Sequence, residues 1–359
     1  MDMTIKPTFG KNHVRPGFER NIPTKDFIER VRINQQKLTA ELRPHYDFIV
    51  CGSGSSGSVV ARRLAENPEV NVGLSIAYRE AGNPGSPKVV LLHGFPASSH
   101  QYRNLIPALA NRFHVISPDY PGFGNSDLPD PAKFSYTFDR LSEMPESFLK
   151  AKGFDRYGLF VQDYGGPVGF RIVSRHPEAL EWLIVQNTNA YEVGFTEAWG
   201  GLRNALWKKR TAETEEGVAG LLELETIKAV YLHGHKRPEL ISPDNWNMDF
   251  RFMERPNARR VQMDLFYDYR TNVELYPQWQ NFLRKEQPRT LIFWGQDDIF
   301  FTREGGEAYL KDLPNAEMHR LESGHFAVED CLDQVAANMH RFYDERVAPS
   351  QAKRASQKP

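Results

Sequence analysis

The residues best suited by type and spacing to chemistry are Asp163 and His325, with Asp297 or Asp298 near them in the strand order. Asp163 lies in Val161-Gln162-Asp163-Tyr164-Gly165-Gly166, after the apolar run Tyr157-Gly158-Leu159-Phe160 and before the helical stretch Pro167 to His176. That pattern predicts a strand, a sharp turn and a helix. At the tip of such an elbow a residue is held in strained backbone, its side chain stands clear of the sheet, and small neighbours let the helix pack close. A carboxylate there attacks carbon and leaves an ester behind, which suits a carbon bearing a halide or an epoxide oxygen. Cleaving the ester requires a base that activates water. His325, in Glu322-Ser323-Gly324-His325-Phe326, follows the predicted strand Ala316 to Leu321. Asp298, in Gly295-Gln296-Asp297-Asp298, follows the buried strand Thr290 to Trp294.

The elements that must bring these groups together are apolar runs alternating with helical segments. Lys88 to Leu92, His114 to Ser117, Tyr157 to Phe160, Trp182 to Gln186 and Thr290 to Trp294 are such runs, the pattern of an α/β protein with a doubly wound, mostly parallel sheet. Wide sequence separation is no obstacle, because each group sits beyond the C-terminal end of a strand in one sheet. The loop His93-Gly94-Phe95-Pro96 offers the Phe95 amide as one oxyanion donor, and the Tyr164 amide, directly after the carboxylate, is the second. The Pro/Gly turn Asp119 to Ser126 shapes the site floor and takes no catalytic part. Residues 190–280 break the rhythm: they are aromatic-rich and helical in pattern, with core expected at 73–189 and 281–347.

His-Gly-Phe-Pro, Asp-x-Pro-Gly-x-Gly-x-Ser, the elbow and Ser-Gly-His-Phe occur in that order, and with them residues 74–347 resemble the α/β-hydrolase fold. The resemblance is to the branch with an aspartate nucleophile, the epoxide hydrolases and the haloalkane or haloacetate dehalogenases. It implies that residues 190–280 form a helical cap over the site and that Asp298 is the acid of a G-x-x-D loop, with Asp297 as the alternative if the loop shifts by one residue. Asn187 or Asn189 stands where some relatives keep that acid. In epoxide opening the family uses cap tyrosines as acids; the candidates are Tyr191, Tyr231, Tyr267, Tyr269 and Tyr276. Tyr267 and Tyr269 are two apart, so on a helix at most one faces the site. The sequence departs from the family at Tyr164, usually a Trp that holds halide, and at Val161, usually a smaller residue. The function implied is hydrolysis of a small apolar electrophile through an aspartyl ester, an epoxide first and a haloalkane or haloacetate as the alternative. The rivals from other classes are an FAD-dependent oxidoreductase fragment, carried by the upstream glycines Gly52, Gly54 and Gly57, and a non-catalytic ligand-binding protein on the same fold.

Upstream, Tyr46 to Gly57 runs from a strand into G-x-G-x-x-G, with Gly52, Gly54 and Gly57, and on into the helix-like Ser58 to Glu66. Such glycines allow a dinucleotide pyrophosphate to approach a helix N-terminus. From Tyr46 to Val72 the chain resembles the opening of the glucose-methanol-choline (GMC) flavoprotein oxidoreductases, which bind FAD there. The rest of that frame is missing, since Gly73 to Glu80 fits the first hairpin of the hydrolase. Residues 1–72 therefore read as an N-terminal extension carrying a truncated βα unit, and no FAD is expected.

Over 359 residues, 40% hydrophobic and 25% charged content describe an ordinary globular chain, and a net charge of -1 gives no reason to expect nucleic acid or an anionic membrane as partner. The expected partner is a small-molecule substrate, with a homodimer left open. No apolar run or leader directs the chain into or across a membrane, so a cytoplasmic location is expected. Cys51 and Cys331 read as reduced thiols. His233 and His235 lack a third metal ligand and read as a polar loop, so neither metal nor organic cofactor is expected. Residues 348–359 read as a disordered tail.

Overall fold

The computed structural model describes Phe48–Ile49 and residues 74–351. The chain divides into two compact units, residues 1–46 and 47–359. The first unit lies outside the described residues, as do Gly52, Gly54, Gly57 and the helix expected after them.

Two short strands, β1 (Phe48–Ile49) and β2 (Leu74–Ser75), pair in parallel. The expected hairpin at residues 73–80 is therefore corrected: its first half pairs upstream. Its second half, β3 (Tyr78–Ala81), is the antiparallel edge of a seven-stranded sheet. The other six strands are parallel to one another: β4 (Lys88–Leu92), β5 (His114–Pro118), β6 (Tyr157–Gln162), β7 (Leu180–Gln186), β8 (Thr290–Gly295) and β9 (Glu317–Leu321). They stand in the order β3-β5-β4-β6-β7-β8-β9. Progress along the sheet thus reverses at β4, and crevices form beyond the C-terminal ends of strands at such a switch point.

Successive strand residues feed opposite faces, as the two-residue period of a strand demands. Val90, Leu92, Leu159, Val161, Leu183 and Val185 join one apolar core. Their neighbours Val89, Leu91, Phe160, Trp182 and Ile184 join the other. Burial on both sides is what makes these runs continuously apolar rather than alternating.

Between β7 and β8 the chain builds a helical insertion. Its main helices are α1 (Ala212–Ala219), α2 (Leu224–Leu232), α3 (Asp244–Met253), α4 (Ala258–Asp268) and α5 (Arg270–Glu286). Residue 280, the boundary expected from the sequence, falls inside α5, because apolar spacing at Tyr276, Trp279, Phe282 and Leu283 carries the buried stripe on. The tail also differs from expectation: residues 348–351 are helical, with the Tyr343 hydroxyl donating to Gln351 Oε1, and only residues beyond them lie outside the description. No helix among the described residues is long and apolar enough to cross a membrane.

Candidate active site

Asp163 follows β6 directly and has φ +48°, in the left-handed region that non-glycine residues avoid. The tip is held by its own backbone. Its N–H donates to the Asn187 carbonyl at 3.1 Å, and its carbonyl accepts from the Gly166 N–H at 3.0 Å and the Thr188 hydroxyl at 2.7 Å. The helix Gly165–Arg175 that follows must start against the sheet. A Cβ on Gly165 would lie 2.1 Å from the Leu92 carbonyl oxygen, and one on Gly166 would lie 1.9 Å from Thr188 Oγ1. The unusual bulk of Val161 is absorbed one turn on, where Gly169 leaves room for its Cγ1.

The Asp163 carboxylate is buried and accepts the Phe95 N–H at Oδ1, 2.7 Å away. The Tyr164 amide also donates to it, so the two amides named from sequence do converge on this carboxylate. Gly94 leaves space for the group: a Cβ there would sit 2.3 Å from the Asp163 Cβ. Burial pushes the carboxyl up to about 6, against the opposing pull of His325 and the two amides.

His325 completes the line. Its Nε2 lies 4.0 Å from Asp163 Oδ2, and its Nδ1 lies 2.9 Å from Asp298 Oδ2. Burial disfavours the imidazolium, but the adjacent Asp298 charge and then Asp163 outweigh it and raise His325 above its ordinary value. Asp297, the one-residue alternative, points elsewhere, paired with Arg303 at 2.7 Å. Asp298 is steadied by the Phe300 N–H at 2.7 Å and by Asn187 Nδ2 at 2.8 Å. Asn187, itself at φ +36°, also brackets Gly295 through both amide atoms. From the loop after β7 it thus steadies Asp298.

Over Asp163 lies a cavity of about 20 Å³, room for about one water, lined by Phe95, Tyr164, Trp199, Leu202, Phe266 and Phe300 among others. A surface hollow of about 730 Å³, between Leu74, Arg140 and Arg175, shares no lining residue with it. Its arginines are paired with Glu143 and Glu146.

The five tyrosines named from sequence separate clearly. The Tyr191 hydroxyl donates to Asp312 at 2.8 Å, and that of Tyr231 to Asp249 at 2.5 Å. Tyr267 lies under Arg270, 3.7 Å from guanidinium carbon to ring centre. These three are engaged away from Asp163. The Tyr269 ring instead packs 4.6 Å from Trp199 and 5.9 Å from Tyr164. Its hydroxyl meets that of Tyr276, which in turn meets the Asn189 amide, in a buried polar cluster whose contacts fall short of full hydrogen-bond geometry. Both tyrosines are pushed well up by burial; Asp163 adds to the effect on Tyr269.

Two features escaped sequence reasoning. Gln162 places its amide 2.9 Å from His325 Nε2, on the inward-facing last residue of β6. His235 is buried, with Nδ1 3.1 Å from Asp330 Oδ1 and 3.2 Å from the Ser323 hydroxyl. The loop expected to be merely polar is thus anchored beside the His325 loop. No group of three or more His, Cys, Asp or Glu that could hold a metal ion occurs among the described residues.

Residues 87–331 match the family model described as the alpha/beta hydrolase fold. The chain is 36% identical over 280 residues to an uncharacterized hydrolase of Saccharomyces cerevisiae, covering 77% of this chain and 96% of that one. It is 38% identical over 112 residues to a haloalkane dehalogenase of Bradyrhizobium diazoefficiens, 31% of this chain and 35% of the relative. The solved epoxide hydrolase CorEH superposes with a TM-score of 0.63 at 20% identity, covering 76% of this chain and 95% of that structure, a likeness of fold.

Proposed function

Because the chain belongs to the α/β-hydrolase family, we propose that its elbow carboxylate opens a small apolar electrophile, an epoxide, through a covalent aspartyl ester. The observation that carries this reading is the strained, amide-held Asp163 with His325 Nε2 4.0 Å from its carboxylate. That gap exceeds a hydrogen bond but admits one bridging water. In the first step an Asp163 oxygen bonds to the epoxide carbon as the ring C–O bond breaks, and an acid protonates the departing alkoxide. In the second, His325 removes a proton from water, the water oxygen bonds to the ester carbonyl carbon, and the Phe95 and Tyr164 amides hold the oxyanion. Collapse expels the second alkoxide, which takes the carboxyl proton to give the diol and restores the carboxylate, and the imidazolium gives its proton back to the acid spent in the first step. Asp298 stabilises the imidazolium formed on the way.

Tyr269 is the acid this reading favours, with Tyr276 behind it, because its ring packs on Tyr164 and Trp199 and its hydroxyl meets another tyrosine, whereas those of Tyr191 and Tyr231 meet carboxylates. The helical insertion serves as the cap. With only about 20 Å³ open, a substrate displaces part of the Trp199, Leu202 and Phe266 wall on entry and brings Tyr269 within reach. Halide displacement is the poorer fit. The nearby indole N–H groups are already used, Trp199 donating to the Phe300 carbonyl at 2.9 Å and Trp207 to that of Phe266 at 2.8 Å. That leaves the Tyr164 hydroxyl, where relatives use an indole.

A single turnover of styrene oxide in oxygen-18 water tests the scheme. The label is expected in the Asp163 carboxylate by peptide mass spectrometry, with unlabelled oxygen in the first-turnover diol. A labelled first-turnover diol and an unlabelled Asp163 would mean direct attack by water and end the proposal. Turnover of 1-bromohexane but of no epoxide would transfer the same Asp163 chemistry to the dehalogenase alternative.

A further inference from the structure

Gln162 is fully buried, and its amide Nε2 lies 2.9 Å from His325 Nε2. The chemistry of the ring fixes what this contact is. Asp298 can only accept at His325 Nδ1, so Nδ1 carries the proton of the neutral ring and Nε2 presents a lone pair. Gln162 must then donate an N–H to that lone pair. On its other side, Gln162 Oε1 accepts from Gln101 Nε2 at 3.2 Å, and Gln101 is itself only 3% exposed. The Gln101 Oε1 is buried with no partner. An unpaired buried amide oxygen is costly unless another arrangement uses it.

We infer that Gln162 and Gln101 form a reversible amide relay that positions His325: they donate to its neutral ring and turn over to accept from the imidazolium. The hydrolytic water must first displace the Gln162 N–H from the single Nε2 lone pair, and once Nε2 has taken its proton an amide N–H would face a ring N–H. A half-turn of Gln162 brings Oε1 to the new N–H and sends its own N–H toward Gln101. A matching half-turn of Gln101 supplies the oxygen that is now unpaired. Gln162 Nε2 also donates to the His325 carbonyl at 3.4 Å, a contact the half-turn gives up, whereas Gln186 Nε2, donating to the same carbonyl at 3.3 Å, keeps the backbone in place. The ionisable groups facing the ring are Asp298 and Asp163, and both favour the cation, so the relay adds geometry rather than charge. Gln162 is thus a positioning residue acting through His325.

The kinetic part rests on the proposed ester mechanism; the ionisation part does not, and the test separates them. In full-length protein labelled with nitrogen-15 histidine, wild type is expected to show His325 as the Nδ1–H tautomer with Nε2 hydrogen-bonded. Gln162→Leu should move Nε2 to the position of an unbonded ring nitrogen, and Gln101→Met, a milder change outside contact with the ring, should shift the same resonance part of the way. An Nε2 signal unbonded in wild type, or unchanged in both variants, overturns the relay whether or not any substrate turns over. With styrene oxide, Gln162→Leu should slow ester hydrolysis about tenfold, the loss of one hydrogen bond, with ester formation little changed. Equal slowing of both steps would make Gln162 a merely structural residue.

Discussion

Among the described residues, His325 and His235 are each buried against carboxylates that are themselves buried. Asp163, His325 and Asp298 form a line, with the imidazole between two carboxylates and Nε2 facing Asp163 across 4.0 Å. Ser323, His235 and Asp330 have the residue types of a serine hydrolase, yet they form a knot. The Ser323 hydroxyl donates to Asp330 Oδ1 at 2.7 Å, and His235 Nδ1 lies 3.1 Å from that same oxygen. His235 Nε2 is left without a partner, and Gly324 packs so close that a Cβ there would lie 3.0 Å from it. Ser323 has ordinary backbone, whereas Asp163 is strained, and only Asp163 borders the cavity. Residue types alone therefore do not define a site. What separates the two is a strained tip, converging amides and a space into which a reacting atom fits. The knot instead fastens the loop after α2 of the insertion to the loop that carries His325.

The largest expected effects contrast these groups. Asp163→Asn should lower turnover of an epoxide by about 10⁴-fold or more, while Ser323→Ala should leave it within about tenfold, measured as diol formation. His325→Gln should match the first variant in turnover but accumulate an ester on Asp163, seen as a stable mass increase of the intact protein. A comparable loss in Ser323→Ala with retained fold would place chemistry in the knot and break the contrast.

Much of the line was legible because its signals are local. The elbow, the Gly94-Phe95 loop and the Ser-Gly-His turn each state their conformation within a few residues, and strand order then brings them together. The parallel sheet was legible for the same reason, in continuous apolar runs. The knot was not legible: His235 meets partners 88 and 95 positions away, and a polar loop looks the same in sequence whether solvated or buried. Gln162 was equally silent, and Asn187 was legible only as a position and not as the residue that steadies Asp298, since amides give no periodic signal and their value lies in which buried atom they reach. Among the tyrosines, the choice of Tyr269 depends on how α4 and α5 rotate against Trp199, a matter of packing rather than spacing. Loss of the expected hairpin at residues 73–80 has a related cause, because strand pairing is set by neighbours that a short run does not encode.

Stability offers a second, smaller contrast. Burial raises Asp163 from an ordinary 3.8 to about 6, so the fold favours its protonated form. A group raised in this way contributes stability fully below its unfolded value and loses that contribution as pH rises through the folded value. Above pH 6 the ionised carboxylate therefore costs the fold up to about 3 kcal/mol, at about 1.4 kcal/mol per unit. Asp163→Asn should stabilise the protein at pH 8 and converge with wild type near pH 4, measured by urea denaturation. Epoxide turnover should fall as pH drops, first as His325, held above its ordinary value by Asp298 and Asp163, is protonated and can no longer activate water, and further through about 6 as Asp163 loses the charge it attacks with.

Ser323→Ala should act in the opposite sense and more weakly, costing about 1–2 kcal/mol through the lost hydroxyl bond to Asp330. Asp330 keeps its contact with His235, and the Arg237 guanidinium still donates to the Asp330 carbonyl, so the loop is loosened rather than released. A buried carboxylate ionised at pH 8 is thus a burden on the fold, whereas a serine tied to an acid supports it. Denaturation of the two variants side by side at pH 8 reads this difference directly. If Asp163→Asn were the less stable of the pair, the penalty assigned to the buried charge would be wrong, and Asp163 would be anchoring the elbow more than straining it.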